Sequence, residues 1–171
     1  SSLIDELRAE RGVVRSALAV IPLVRPWLFE YTPATPNPPE EEFLNAVRNC
    51  DLFVLLLAWG ISDPVRKEWR TAIEGNIRRL VFLKRGERSA ETKRFIEDIR
   101  MDVGWAEFET PDELWRQMQE AVIHELIRNY PYYQLTDPEV SRLTDFVRQL
   151  PIVRLKEWKE LHHLLQNVAR G

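Results

Sequence analysis

The sequence has few of the residues on which cross-links and metal sites depend. Its 171 residues include one cysteine and three histidines. Cys50 alone can form neither an internal disulfide nor a thiolate metal site, which is typical of a protein from a reducing compartment. His162 and His163 are adjacent, so on a helix they would point about 100° apart and could not chelate one ion. We therefore predict a cytoplasmic protein that has no metal ion and no resident cofactor.

Glycine is also scarce, and its placement excludes two common phosphate-binding motifs. The chain has six glycines, and no two have the spacing of the dinucleotide fingerprint or of the loop that cradles phosphates. A nucleotide that binds this protein must therefore be held by other means.

Charge and hydrophobicity argue against two classes of partner. The 24 basic and 27 acidic residues give a net charge of -3, whereas proteins that coat nucleic acids are usually strongly basic. The longest apolar run, over residues 52–59, is far too short to cross a bilayer. Hydrophobic residues make up 44% of the chain, which is typical of a folded globular protein. We expect neither a nucleic acid nor a membrane as a partner.

Apolar runs and helical patterns alternate over the first 129 residues. The run over 52–59 is uninterrupted, which is typical of a strand buried on both faces of a parallel sheet. Asp63 with Pro64 indicates the start of a helix, and Gly75 with Asn76 its end. The pattern predicts an α/β fold, a parallel sheet with helices on both faces. Strands are predicted at 27–29, 52–59, 80–83 and 105–108, and helices from Ser2 onward, at 40–49, from Asp63 to Gly75, at 91–100 and at 110–129.

The two ends of the chain differ from this pattern. Ser2 and Asp5 form a Ser-x-x-Asp signal for a helix start, so the chain opens on a helix where such a sheet usually begins with a strand. We expect that strand to lie just upstream, in a longer protein; the alternative is a sheet that lacks it. Two further helical patterns, at 138–149 and 153–169, follow an aromatic turn that begins at Tyr130. We predict an α/β domain over 1–129 and a helical extension, or linker to a downstream domain, over 130–171.

Four short motifs occur in order along residues 1–128. They are Ser1-Ser2-x-x-x-Glu6-Leu7-x-x-Glu10-Arg11, Phe29-Glu30-Tyr31-x-Pro33-Ala34, Cys50-Asp51-Leu52-Phe53-Val54, and Glu68-Trp69-x-x-Ala72 leading into Leu80-Val81-Phe82-Leu83-Lys84. In this order they resemble the DUF4062 family, a TIR-like domain often found ahead of signalling NTPases. The resemblance implies a TIR-like, flavodoxin-like fold and a role in signalling or defence.

Residues 63–83 also resemble the corresponding part of NAD-cleaving TIR domains. Glu68 stands at the position of their catalytic glutamate, and nucleoside deoxyribosyltransferases place a glutamate similarly. Two features depart from the TIR pattern. Pro64 stands where TIR domains have a tryptophan four residues before the glutamate, and residues 75–79 replace their glycine-lysine pair. The resemblance implies an NAD(P)+ glycohydrolase or a related N-glycosidase in which Glu68 is catalytic.

One carboxylate suffices for this chemistry. Nicotinamide leaves NAD as a neutral molecule, so the site needs no general acid and must only supply negative charge beside the developing oxocarbenium ion. Glu68 lies at the edge of the buried stripe of its predicted helix, which follows the strand over 52–59 and therefore adjoins the expected ligand crevice. The alternative is that Glu68 is a solvated charge paired with Lys67, Arg70 or another neighbour.

Further candidate contacts lie in the loops where ligands of such sheets bind. Trp59 could stack on a base or on nicotinamide, and a hydroxyl such as that of Ser62 could bind ribose or phosphate. Each candidate has a structural alternative: Trp59 as a core or domain-contact aromatic, Ser2 and Ser62 as helix caps, and Glu30 as the polar end of a strand. The predicted substrate-binding set is Ser1, Ser2, Glu30, Trp59, Gly60 and Ser62.

The sequence leaves functions of different classes open. The first is an N-glycosidase with NAD as its substrate, active as a homo-oligomer that a downstream domain of the same polypeptide assembles. The second is a non-enzymatic TIR-like domain that self-associates or recruits protein partners. A nucleotide sensor that binds without cleaving is a third. Convergence of Glu68, Glu30 and Ser2 on one concave pocket would favour the first.

Overall fold

A computed structural model describes residues 2, 5–129 and 133–150 of the chain. The predicted helix at 153–169, the first three residues of the aromatic turn and Ser1 lie outside the described residues. The described helices are α1 (Arg8–Ala19), a 3-10 helix (Phe29–Tyr31), α2 (Pro39–Arg48), α3 (Asp63–Glu74), α4 (Ala90–Ile99), α5 (Pro111–Arg128) and α6 (Asp137–Gln149), and the strands are β1 (Leu52–Leu57), β2 (Arg78–Lys84) and β3 (Trp105–Phe108).

The three strands form one parallel sheet in the order β1-β2-β3. Leu52 lies opposite Arg78, and Val81 lies opposite Trp105, which sets the register of both pairs. Helix α3 connects β1 to β2, and α4 connects β2 to β3, as parallel neighbours require a long crossover. The prediction of an α/β fold with a parallel sheet is confirmed, and the arrangement is consistent with a flavodoxin-like fold.

The core of the sheet region is built from the apolar faces of β1, β2, α3 and α4. Trp69 of α3 is buried at its centre, and its ring contacts those of Phe53 in β1 and Phe95 in α4 at centroid distances of 6.2 and 5.9 Å. Tilted and edge-to-face ring pairs add to the free energy of hydrophobic burial. Leu55, Leu56 and Leu57 are buried, which confirms the prediction of a strand covered on both faces, although β1 lies at an edge of the described sheet.

The chain divides into two compact units. The first comprises Ser1–Arg15 and Trp27–Leu114, and it contains the whole sheet. The second comprises Ser16–Pro26 and Trp115–Gly171. Within the described part of the second unit, the Gln119 side-chain amide donates a hydrogen bond to the carbonyl oxygen of Ala17 at 3.2 Å. All predicted site residues belong to the first unit. Among the described helices, none combines the length and the apolar character that a bilayer span requires.

The first helix begins later than the Ser-x-x-Asp signal predicts. Helix α1 starts at Arg8, and Ser2 is buried well before it. The Ser2 hydroxyl oxygen accepts a hydrogen bond from Nη1 of Arg11 at 2.8 Å. The prediction that Ser2 caps a helix is therefore wrong, because its side chain is committed to a buried guanidinium.

The predicted strand at 27–29 does not form. Phe29 begins the 3-10 helix, and its ring packs edge-on against Trp27 and against Phe43 of α2, at 6.4 and 6.5 Å. Prolines 26 and 33 flank the segment and lack the N–H groups that sheet pairing uses. Aromatic packing therefore replaces sheet pairing in this segment, although Trp27 itself is 47% exposed, and Glu30 lies in a helical turn rather than at a strand end.

Candidate functional site

The loop after β1 carries an exposed tryptophan on an anchored backbone. The carbonyl oxygen of Trp59 accepts hydrogen bonds from the backbone N–H of Ser89 and from Oγ1 of Thr92, both at 2.9 Å. Its own N–H donates to Oε1 of Glu6. The side chain is nevertheless 55% exposed, so Trp59 is not a core aromatic. A large ring held in this way at the carboxyl end of a parallel strand is suited to stacking on a planar ligand.

Glu6 binds two consecutive backbone amides in this loop. Its Oε1 accepts from the N–H of Trp59, and its Oε2 accepts from the N–H of Gly60 at 3.1 Å. Each carboxylate oxygen therefore has one amide donor. Glu6 is 53 positions from Trp59 and 54 positions from Gly60 in the chain, so the contact ties the segment before α1 to the end of β1.

Arg11 joins two of the predicted site residues. Its Nε and Nη2 donate to the two carboxylate oxygens of Glu30 at 2.7 and 2.5 Å, and its Nη1 donates to the Ser2 hydroxyl. The guanidinium is buried, and the bidentate geometry is the strongest form of this pair. The hydrogen bonds from Arg11 lower the pKa of the Glu30 carboxyl below its ordinary value, although burial opposes this change. Glu30 is therefore ionised at neutral pH.

A second ion pair connects α1 with the sheet. Nζ of Lys84, the last residue of β2, lies 2.5 Å from Oε1 of Glu10, whose side chain is 7% exposed. One short segment, residues 6–11, thus contacts three elements. Glu6 reaches the loop after β1, Glu10 reaches the end of β2, and Arg11 reaches the 3-10 helix. No local pattern predicted a role for these three residues, although all three stand in the first of the quoted motifs. Their charge at the start of an otherwise amphipathic helix was the available signal.

Glu68 lies on α3 in the second helical turn and is partly buried. Lys67, one of the partners that the sequence offered for Glu68, binds both carboxylate oxygens of Glu40 through its Nζ, at 2.7 and 2.8 Å. Helix α3 begins at Asp63 as predicted, and Ser62 stands at the cap position, but its side chain makes no capping hydrogen bond to the helix.

The structure thus brings part of the predicted set together. Ser2 and Glu30 meet at Arg11, while Trp59 and Gly60 meet at Glu6. Gly60 is followed by Ile61 and Ser62, and α3, which carries Glu68, begins at the next residue. Ser1 lies outside the described residues. The assignment of Glu68 as catalytic and of the others as substrate contacts stays a prediction.

The described residues include neither a metal-binding cluster nor an activated thiol. No group of three or more histidine, cysteine or acidic side chains in this part of the chain could hold a metal ion. Cys50 is partly buried and packs against the core, and burial together with the neighbouring Asp51 raises the pKa of its thiol. A thiol with a raised pKa is a weak nucleophile at neutral pH.

Comparison with known proteins gives one match. No curated protein and no solved structure matches the chain. The model of the family described as Domain of unknown function (DUF4062) matches residues 1–123, which include the whole sheet and every described residue of the candidate site. The chain therefore belongs to the DUF4062 family.

Proposed function

We propose that this protein is a nucleotide N-glycosidase with NAD as its substrate. The observation that carries the proposal is the exposed indole of Trp59, anchored through its backbone at the carboxyl end of β1. Parallel sheets bind their ligands at this edge, and an exposed aromatic ring on a fixed backbone stacks on a base or on nicotinamide at little entropic cost.

Glu68 supplies the negative charge in this proposal. Its position on the second turn of α3, the helix that follows Trp59, and its partial burial favour a carboxylate that faces a ligand rather than bulk water. The C1′–N bond breaks, its electron pair leaves with neutral nicotinamide, and the carboxylate stabilises the cationic sugar carbon. Water then adds to C1′ and releases a proton, which gives ADP-ribose.

Ser2, Glu30 and Ser62 form the polar surroundings of the ligand in the same proposal, with Ser1 and Gly60 completing the set. Glu30 is kept ionised by Arg11, so it is an acceptor for ribose hydroxyls rather than a proton donor. Activity is expected to require an assembled homo-oligomer, so the assay must be made over a range of protein concentrations.

The direct test is release of nicotinamide from NAD, followed by chromatography. We expect Glu68→Gln, which keeps the shape and removes the charge, to reduce the rate by roughly 100-fold or more. Glu74→Gln, at the exposed last turn of α3, is the matched control and should leave the rate unchanged. Equal rates for Glu68→Gln and the wild type would remove Glu68 from the mechanism.

The role of Trp59 is tested separately. Because loss of one stacked ring costs about 1–3 kcal/mol, we expect Trp59→Ala to raise KM for NAD by roughly tenfold, while Trp59→Phe retains most of the affinity. The melting temperature of each variant serves as the control for folding. An unchanged KM in Trp59→Ala would contradict the stacking role.

Exposed apolar side chains favour a second candidate function, a non-enzymatic domain that self-associates. Met101 is 91% exposed in the first unit, and Trp27, Tyr31 and Trp105 are also accessible there. Such residues are enriched where proteins meet. Self-association in sedimentation experiments, without nicotinamide release at any protein concentration, would favour this candidate over the glycosidase.

A further inference from the structure

The two amides bound by Glu6 have the properties of an oxyanion site. The N–H groups of Trp59 and Gly60, here called the amide pair, converge on one carboxylate and donate to its two oxygens separately. Consecutive backbone N–H groups that point at one anion are a common way to bind phosphate, because their dipoles add and they need no side chain. A carboxylate and a phosphate present similar oxygen atoms to such donors.

The surroundings of the amide pair also suit a ligand. It lies in the loop between β1 and α3, where α/β proteins bind anions. The Ser62 hydroxyl, two residues further on, makes no capping hydrogen bond to α3. Arg88 directly precedes Ser89, whose N–H donates to the Trp59 carbonyl. Its Nη2 donates to the Lys84 carbonyl at 2.9 Å, and its buried Nε has no hydrogen-bond partner in the described structure.

We propose that the amide pair binds a phosphate group of the nucleotide and that Glu6 occupies this position when no ligand is bound. Glu6 is then a built-in competitor, and the ligand must displace it. The ligand binds only molecules in which the Glu6 carboxylate is off the amide pair. The apparent association constant is therefore the intrinsic one multiplied by the fraction of such molecules. The inference rests on the proposed function for the identity of the ligand as a nucleotide, whereas the amide pair and its occupant are independent of any reaction.

The test uses ADP-ribose, which carries the diphosphate but no nicotinamide bond to cleave. By titration calorimetry we expect Glu6→Ala to bind ADP-ribose about tenfold more tightly than the wild type. Adenosine, which has no phosphate, should bind both proteins equally. Glu6→Gln, whose side-chain oxygen still accepts one hydrogen bond, should give an intermediate value, and Glu41→Gln on the exposed face of α2 is the matched control.

A second measurement uses inorganic phosphate and distinguishes a site for the phosphate of a nucleotide from a site for the free anion. We expect it to raise the melting temperature of Glu6→Ala more than that of the wild type, with chloride at equal ionic strength as the control. A response to inorganic phosphate without a matching gain for ADP-ribose would assign the site to a free anion and overturn the nucleotide assignment.

The remaining outcomes separate this inference from the proposed function. Equal or weaker ADP-ribose binding by Glu6→Ala, in a protein whose wild type releases nicotinamide, would overturn the role of Glu6 and leave the glycosidase standing. Tighter ADP-ribose binding by Glu6→Ala, in a protein that releases no nicotinamide, would support the phosphate site and contradict the glycosidase.

Discussion

Arg11 is a buried cation whose three described hydrogen bonds fix the positions of the Glu30 and Ser2 side chains. Its guanidinium uses Nε and Nη2 for the Glu30 carboxylate and Nη1 for the Ser2 hydroxyl. Replacement by lysine keeps the charge but loses the planar fork, so a conservative change at this position is not conservative in geometry. The pair also makes the stability of the fold depend on pH.

Glu30→Gln tests that dependence. The pKa of Glu30 is lower in the folded protein than in the unfolded chain, so the charged pair stabilises the fold above the unfolded value and its contribution is lost as the pH falls through the folded value. We expect Glu30→Gln to reduce the free energy of unfolding by about 1 kcal/mol at pH 7. The difference from wild type should shrink below about pH 4. Urea denaturation at pH 7 and pH 3 measures both values, and a difference independent of pH would contradict the assignment.

Residue types predicted part of the candidate site, and tertiary contacts determined the rest. Trp59, Glu30 and Ser2 were predicted as ligand contacts from their places in the chain, and this assignment stays a prediction. Arg11, which joins two of them, was not identified, because a charged residue at the start of an amphipathic helix is usually solvated. Its hydrogen bonds depend on Glu30, which is 19 positions away in the chain, and a local sequence pattern does not reveal such a distant partner.

Among the elements, α3 shows most clearly how local chemistry fixes a boundary. The N–H of Asn76 donates to the carbonyl of Ile73, and the N–H of Ile77 donates to that of Ala72, both at 2.9 Å. This is the Schellman arrangement at a helix end, and it requires a left-handed residue, which here is Asn76 with φ 50°. Gly75 has an ordinary helical φ of -78°. The predicted stop is confirmed, but asparagine, not glycine, adopts the left-handed conformation.

Substitutions at Asn76 test this assignment. Asn76→Ala places a less tolerant residue in the left-handed region, and we expect it to lower the free energy of unfolding by about 1 kcal/mol. Asn76→Gly should be neutral or slightly stabilising, since glycine adopts positive φ without steric cost. Chemical denaturation of both variants provides the comparison. A larger loss for glycine than for alanine would contradict a backbone explanation.

Strong local signals predicted the elements well, and weak ones did not. The apolar runs of β1 and β2 and the proline at the start of α3 have few structural alternatives, so these elements formed where expected. The triplet at 27–29 was too short to distinguish a strand from an aromatic cluster. The Ser-x-x-Asp signal failed for another reason, since the Ser2 hydroxyl forms a stronger bond to a buried cation.

At the scale of the whole molecule, contacts between distant segments decide what the candidate site contains. Residues 6–11 reach the ends of two strands through Glu6 and Glu10, and the Glu10–Lys84 pair spans 74 positions of the chain. Sheet pairing alone does not require these contacts. They hold the segment before and within α1 against the carboxyl ends of β1 and β2, here called the ligand edge because the proposed function places the ligand there.

The Glu10–Lys84 pair therefore offers a test of that long-range connection. Glu10 is almost fully buried and Lys84 is 34% exposed on its side chain, so removing the cation leaves a carboxylate with little access to water. We expect Lys84→Met to lower the free energy of unfolding by roughly 2 kcal/mol, less than for a fully buried pair because Lys84 is partly solvated. Lys93→Met, on the exposed face of α4, is the matched control and should change it little.

The double variant separates the value of the pair from the cost of an unpaired charge. Glu10→Leu combined with Lys84→Met leaves no buried charge, so we expect it to recover most of the stability that Lys84→Met alone loses. Additive losses would instead mean that each side chain stabilises the fold through packing of its own. If the pair mainly positions α1 at the ligand edge, the double variant should fold normally and still bind ADP-ribose less tightly than the wild type. A double variant with wild-type affinity would limit the pair to a contribution to stability.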